Sequence, residues 1–323
     1  MSKVLLITGA TGRQGGAVID ALLDQAAKDK DGTTTKFDIL AVTRNTSSAA
    51  AQSLLAKSPN ITLVEGNLNN VPALFEKAQR LCEKDGNKKI WGVYSVQTSL
   101  GTDVTTDGEI AQGKALIDGA IGAGVSHFVY SSVERGGDDE SWAAGTPIPH
   151  FQTKLEIERY LRSATEKSAA MMGWTILRPV AFMDNLAPGV QTRVFLAALR
   201  NHLGDRDKAT QWVATADIGV FAAKAFSDPA AWDRRAVGLA GDELTMEQLG
   251  EAFERATGSP APMANWLLGS VLTYLVKEVR LMIGWFATDG YKADIAARRA
   301  EHPGLMNMEE WLVKKSKFVT RRG

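Results

Sequence analysis

The sequence predicts an α/β protein: a doubly wound parallel sheet followed by a smaller, mostly helical part. Three observations predict it. Short apolar runs and amphipathic stretches alternate from the first residues, the order that parallel strands with crossover helices produce. A glycine-rich turn separates the first apolar run from the first amphipathic stretch. After residue 182 the alternation gives way mainly to successive helical patterns.

Each element has its own signal. Residues 4–8, VLLIT, are an apolar run that stops at glycine and read as a buried first strand. Over 15–25, Val18 and Leu22 fall on one helical face. Residues 29–36, rich in Asp, Gly and Thr, read as a solvent loop. Residues 37–44, 61–65, 90–96 and 127–131 supply strands two to five, each after a helical stretch. A sixth strand over 174–178 is ended by Pro179, which cannot donate to a ladder. Helical patterns then cover 189–202 and 218–226, with a short strand at 237–240 and further helices at 247–257, 264–283 and 308–315. There is no internal repeat or low-complexity linker, so the boundary is a change of architecture, placed at Phe182. The expected domains are 1–182 and 183–323, the chain returning to the first around 210–240.

Composition narrows the function classes. The chain has 323 residues, 45% apolar and 23% charged, which is ordinary globular usage. Lys plus Arg number 37 and Asp plus Glu 37, so no global positive field favours nucleic acid or an acidic membrane. Cys82 is alone and the four histidines show no ligand spacing, so neither a disulfide framework nor a metal is expected. The opening MSKVLLITGATG lacks the longer apolar core of a secretory signal, and a cytoplasmic protein is expected. The most apolar later stretch, 266–276, is too short to span a bilayer and reads as a buried or lid helix.

The turn after the first strand is Gly9-Ala-Thr-Gly12-Arg-Gln-Gly15. Three glycines alone are weak evidence, but between a strand and a helix they form a cradle where backbone N–H groups and the helix dipole receive a pyrophosphate. Gly9 permits the tight turn, Gly12 backbone approach to the ligand, and Gly15 close helix packing. A turn that merely packs a helix on a sheet is the competing reading. The second strand ends Thr43-Arg44-Asn45 without the carboxylate that would hold a ribose 2′-hydroxyl and repel a 2′-phosphate. Arg44 can pair with that phosphate, and Arg13 can add a second positive contact. The expected cofactor is therefore NADP(H); for either arginine the competing reading is a solvated surface cation.

The segments ITGATGRQGGAVIDALL, AVTRN, VYSSVE, HFQTKLEIERYLR, WTILRPVAFMDNL and LAGDELTMEQL, in this order, carry a resemblance over nearly the whole chain. They resemble the NmrA-like group of atypical short-chain dehydrogenases/reductases, a neighbour of the isoflavone-reductase-like enzymes. The resemblance implies a Rossmann fold with a split C-terminal subdomain and bound NAD(P), in a family that holds both reductases and cofactor-sensing regulators. It places Thr11, Arg13 and Gln14 in the phosphate loop and Arg44 at the 2′-phosphate. Asn67 and Leu68 fall beside the adenine, where relatives usually carry an acidic residue. Val96, Gln97 and Thr98 would line the cofactor, and Pro179, Val180 and Phe182 would flank the nicotinamide.

Short-chain reductases generally use Ser, Tyr and Lys, with Tyr four residues before Lys so that both share a helix face. Lys154 fits the lysine position as a ribose contact, but His150 stands where Tyr is expected. His150 can serve as the acid if its helix begins by Pro149; otherwise it is a loop histidine. Ser132 follows the fifth strand where a carbonyl-polarising serine is expected, although serine at a strand end is also a common turn former. Trp142, in the 136–145 loop that could form a lid, and Trp285, Phe286 and Tyr291 favour an apolar substrate pocket; plain core is the competing reading.

The expected function is an NADP(H)-dependent oxidoreductase lacking the usual tyrosine. It would act on an apolar imine, enone or carbonyl, with a redox-neutral cyclisation in secondary metabolism as a variant. The alternative is a catalytically silent NADP(H)-binding redox sensor of the NmrA type with a regulatory protein partner. Expected partners exclude direct nucleic acid and membrane, and the chain is expected to be a monomer or homodimer.

Overall fold

The computed structural model describes residues 2–29, 31–32, 35–84, 86, 88–98, 105–143, 145–167, 172–204 and 208–320. Residues 30, 33 and 34 of the loop expected over 29–36, and residue 144 of the segment 136–145, lie outside the described residues.

The first half runs β1 (Lys3–Ile7), α1 (Arg13–Lys28), β2 (Phe37–Thr43), α2 (Ala49–Leu55), β3 (Ile61–Glu65), α3 (Val71–Lys84), β4 (Ile90–Ser95), α4 (Thr106–Gly122) and β5 (His127–Ser131). Next come α5 (Asp138–Ala143), α6 (Pro149–Lys167), β6 (Gly173–Pro179), β7 (Ala181–Phe182), α7 (Val190–Leu203), β8 (Thr210–Val213), α8 (Thr215–Ser227), α9 (Pro229–Trp232), β9 (Arg235–Leu239) and β10 (Asp242–Leu244). The chain ends with α10 (Met246–Thr257), α11 (Trp266–Leu275), α12 (Lys277–Thr288), α13 (Ile295–Glu301) and α14 (Met308–Lys314).

Seven strands form one sheet in the order β3-β2-β1-β4-β5-β6-β9. Neighbours from β3 through β6 pair in parallel, so the sheet is doubly wound with its switch point between β1 and β4. Its strands read as continuous apolar runs because helices cover both faces. Leu5, Leu6, Ile7, Val93, Phe128, Val129 and Ile176 are fully buried. A seven-stranded parallel sheet with a helical C-terminal region is the fold class expected above.

The chain divides into two compact units: Met1–Ser132, Thr153–Leu177 and Ile218–Ala236 in the first, Val133–Gln152, Arg178–Asp217 and Val237–Gly323 in the second. In the first unit, Trp91, His127 and Phe226 pack ring on ring. His127 Nε2 lies 2.9 Å from Thr175 Oγ1, and burial pushes its imidazole down to about 4, Asp233 and Lys3 adding smaller opposed effects. In the second unit a small sheet, β10-β8-β7, was not expected from sequence. Phe151, Trp285, Phe286 and Tyr291 pack on one another there and are buried.

Two segments differ from expectation. The 136–145 loop contains α5 and is pinned rather than free. The Glu134 carboxylate accepts from the backbone N–H groups of Gly136, Gly137 and Lys292, and Arg135 donates to the carbonyls of Val133 and Ser141. The single helix expected over 264–283 is two helices, because Val276 is extended at φ −109° and ψ 92°. Of the two readings for 266–276, a buried helix or a lid helix, the buried one does not hold: Trp266 is 61% exposed and Tyr274 80%.

Candidate functional site

The glycine turn sits at the switch point. Thr8 Oγ1 donates to the Tyr94 carbonyl at 3.0 Å and accepts from the Val96 N–H at 2.9 Å, tying the carboxyl ends of β1 and β4 together. Gly9 has φ +60°, and the Gly12 N–H closes the turn on its carbonyl at 2.9 Å. A Cβ on Gly15 would fall 2.3 Å from that carbonyl oxygen, so α1 is seated directly on the turn. Helix α1 has no side-chain cap and no acidic residue in its first turn, which leaves its N-terminal dipole available to an anion. Thr11, Gly12 and Arg13 are exposed there. Gln14 instead points inward, accepting from Ser131 Oγ at 2.5 Å and from the Tyr94 hydroxyl at 3.4 Å.

At the ends of β2 and β3 lies a cleft of about 280 Å³ lined by Arg44, Glu65, Gly66, Asn67, Asn70, Ala73, Leu74 and Lys77. The structure thus brings together Arg44 and Asn67, which sequence reasoning named, with Lys77 and Asn70, which it did not. Lys77 Nζ donates to the Glu65 carbonyl at 3.1 Å, holding a second cation at the cleft. The signal for it was faint: a lysine about two turns into a helix after β3 looks like any solvated helix face. Asn67 is exposed and caps the 3₁₀ turn Leu68–Asn70, its Oδ1 accepting from the Asn69 N–H at 3.0 Å. Leu68 is half-buried.

Beyond β4, Val96 is half-buried, Gln97 buried and Thr98 exposed. Gln97 Nε2 donates to Ser95 Oγ at 2.8 Å, yet its buried Oε1 has no hydrogen-bond partner among the described residues. A buried acceptor left open costs roughly 1–3 kcal/mol, which a donor from a ligand would offset. In the second unit Pro179 and Val180 are buried and Phe182 is half-buried. The Pro179 carbonyl accepts from the Glu134 N–H, and the Val180 N–H donates to the Leu239 carbonyl.

Helix α6 begins at Pro149, so His150 lies in its first turn and Lys154 one turn later. Lys154 is 5% exposed and its ammonium is 2.8 Å from Glu109 Oε1 on α4. The other Glu109 oxygen accepts from Thr153 Oγ1 at 2.7 Å. Lys154 Nζ also lies 5.7 Å from the centre of the Tyr130 ring. Nothing in the sequence spacing links Glu109 to Lys154, because the two sit on helices that only the fold brings side by side. Ser132 Oγ donates to the carboxylate of Glu158, which is fully buried. In the second unit, His150 Nδ1 is 2.6 Å from Glu278 Oε1, and the ring packs edge-on against Phe151. Among the described residues no cluster of His, Cys, Asp and Glu could hold a metal ion, and no helix is long and apolar enough to cross a membrane.

Comparison with known proteins places this architecture. The chain is 28% identical over 306 residues to the NmrA-like family domain-containing oxidoreductase hkm9 of Aspergillus hancockii, covering 90% of this chain and 84% of that one. Among solved structures it resembles NmrA, a negative transcriptional regulator, in complex with NADP. The TM-score is 0.66 at 22% identity, over 97% of this chain and 95% of that one. A Citrobacter sp. triphenylmethane reductase complexed with NADP(H) superposes with a TM-score of 0.66 at 17% identity, over 98% of this chain and 99% of that one. Likeness at these identities establishes the fold. The NmrA-like family profile matches residues 1–312, and the chain belongs to that family.

Proposed function

We propose that this chain is an NADP(H)-dependent oxidoreductase acting on an apolar small molecule through an imine, enone or carbonyl group. The observation that carries the reading is the cleft at the ends of β2 and β3, where Arg44 and Lys77 stand as two cations. A 2′-phosphate is doubly anionic near neutral pH, and the guanidinium offers it bidentate charge-assisted bonds. The residues present fit the cofactor in two further respects: the turn packs so closely that a Cβ on Gly9 or Gly15 would meet Val96 at 2.8 Å or the Gly9 carbonyl oxygen at 2.3 Å, which fixes the exposed backbone of Gly12 at the α1 N-terminus, and among the described residues Gln97 offers an open buried acceptor. Thr11, Arg13 and the α1 N-terminus would hold the pyrophosphate, with Gln14 bracing the loop from inside. Asn67 and Leu68 would border the adenine, Val96, Gln97 and Thr98 the ribose, and Pro179, Val180 and Phe182 the nicotinamide. NmrA solved with NAD and with NADP supports a nicotinamide cofactor of either kind; Arg44 is the reason for choosing NADP(H).

The reduced nicotinamide supplies hydride when bound. Lys154 holds a ribose hydroxyl and stabilises charge developing on the substrate, its ammonium aimed by Glu109. His150, paired with Glu278, would donate the proton. Ser132 would reach a substrate only by giving up its bond to Glu158. The oxidoreductase hkm9 supports turnover as the default reading.

A second reading has its own support. No tyrosine stands four residues before Lys154, and Glu109 neutralises the lysine's charge, as a silent NADP(H) sensor with a regulatory partner could tolerate. NADPH oxidation against a panel of apolar imines and enones decides between them. The enzyme reading predicts turnover that falls at least a hundredfold in the double variant Lys154→Met with Glu109→Gln, which removes both buried charges together and leaves neither unpaired. Tight NADPH binding with no turnover across the panel would instead establish the sensor.

A further inference from the structure

Helix α11 concentrates exposed apolar surface. Gly269 and Thr273 form its inner face and are buried, and a Cβ on Gly269 would fall 2.5 Å from Ala198 N, so the helix sits on the backbone of α7. The outward side is then set. Trp266, Leu267, Leu268, Val271, Tyr274, Leu275 and Val276 are between 40% and 80% exposed. No Asp, Glu, Lys or Arg occurs from 266 to 276. A helix face of this kind is a liability in water unless something covers it.

We propose that this face takes a second copy of the chain, the two α11 helices lying antiparallel across a two-fold axis at Val271. Three observations carry it. Val271 points opposite the buried pair Gly269 and Thr273, and the exposed set is symmetric about it. Leu267 of one copy then meets Leu275 of the other, Leu268 meets Tyr274, and Val271 meets itself, the self-complementarity that a two-fold interface requires; Trp266 and Val276 stand at the two ends of the helix, outside this seam. Of the ten large apolar residues exposed among the described residues, seven lie between 266 and 276, a concentration of apolar surface that marks an interface, and the five on the outward face would form the centre of a contact of the standard size of about 800 Å² per partner. Antiparallel alignment also opposes the helix dipoles, and with no charge on the face no like-charge contact arises at the axis. A lipid surface fits less well: interfacial helices present a polar face rich in Lys and Arg, whereas the polar side of α11 is buried on α7 and the charges beyond it, Lys277, Glu278 and Arg280, are of mixed sign.

The test is sedimentation of the full chain together with cysteine crosslinking. Cys82 is the only cysteine and is buried, so an introduced thiol reports cleanly. Val271→Cys should form a disulfide-linked dimer under mild oxidation, while Val319→Cys, at a position 85% exposed and remote in sequence, should not. Val271→Asp, which places two like charges on the axis, should raise the dimer dissociation constant at least tenfold without changing the melting temperature measured at concentrations where both proteins are monomeric. A native chain that stays monomeric at micromolar concentration overturns the proposal, and so does a monomer that sediments with phosphatidylcholine–phosphatidylserine vesicles. A dimer indifferent to Val271→Asp, in which Val271→Cys links no faster than Val319→Cys, overturns it equally.

Discussion

That Arg44 stands at the end of β2 was legible, and the structure sets it on the wall of a cleft; the argument for its role is local, since a strand end, a missing carboxylate and one guanidinium are all visible in five letters. Lys77 and Glu109 were not legible, since each acquires its place only when distant helices meet strand ends or one another. His127 illustrates a residue whose chemistry burial alone decides. Its imidazole stays neutral in the fold down to about pH 4, whereas in the unfolded chain it titrates near 6.5. The unfolded state therefore binds the extra proton first, and stability falls as pH drops from 6.5 towards 4. The expected loss is about 3 kcal/mol across that window, read from denaturant midpoints. His127→Asn should flatten this part of the profile; an unchanged slope would show that His127 does not carry it.

At the scale of elements, the glycine turn was legible and its packing can be tested. Gly15→Ala puts a methyl 2.3 Å from the Gly9 oxygen and 2.5 Å from the Gly9 carbonyl carbon. Both are backbone atoms and cannot step aside by changing rotamer. A loss of roughly 2–4 kcal/mol is expected, the range of overpacking with backbone strain. Gly250→Ala, inside α10 with open space around its Cβ, should instead stabilise by about 0.5–1 kcal/mol. Thermal melts of the two variants moving in the same direction would contradict this assignment. The break at Val276 had no sequence signal, because neither glycine nor proline marks it. Helix α5 had one: Asp138, Asp139 and Glu140 in its first turn favour a helix N-terminus, but the neighbouring glycines made the segment read as loop. Strands β7, β8 and β10, only two to four residues long, owe their pairing to tertiary neighbours and carry too few alternations to be read.

For the whole molecule, strand–helix alternation was enough to read the class of fold. The strand order β3-β2-β1-β4-β5-β6-β9 was not legible, because the right-handed crossover rule fixes the hand of each connection and not which strands are neighbours. The proposed function is electrostatic: amide dipoles at the glycine turn would hold a pyrophosphate, and Arg44 with Lys77 would hold the additional phosphate of NADP(H). Isothermal titration of NADPH and NADH, on the native chain and on Arg44→Asp, measures this directly. The account predicts tighter binding of NADPH than NADH to the native chain. It also predicts that Arg44→Asp costs NADPH at least tenfold more affinity than it costs NADH, about 1.4 kcal/mol or more for one charge-assisted pair. Equal losses for the two dinucleotides, or no binding of either by the native chain, would contradict it.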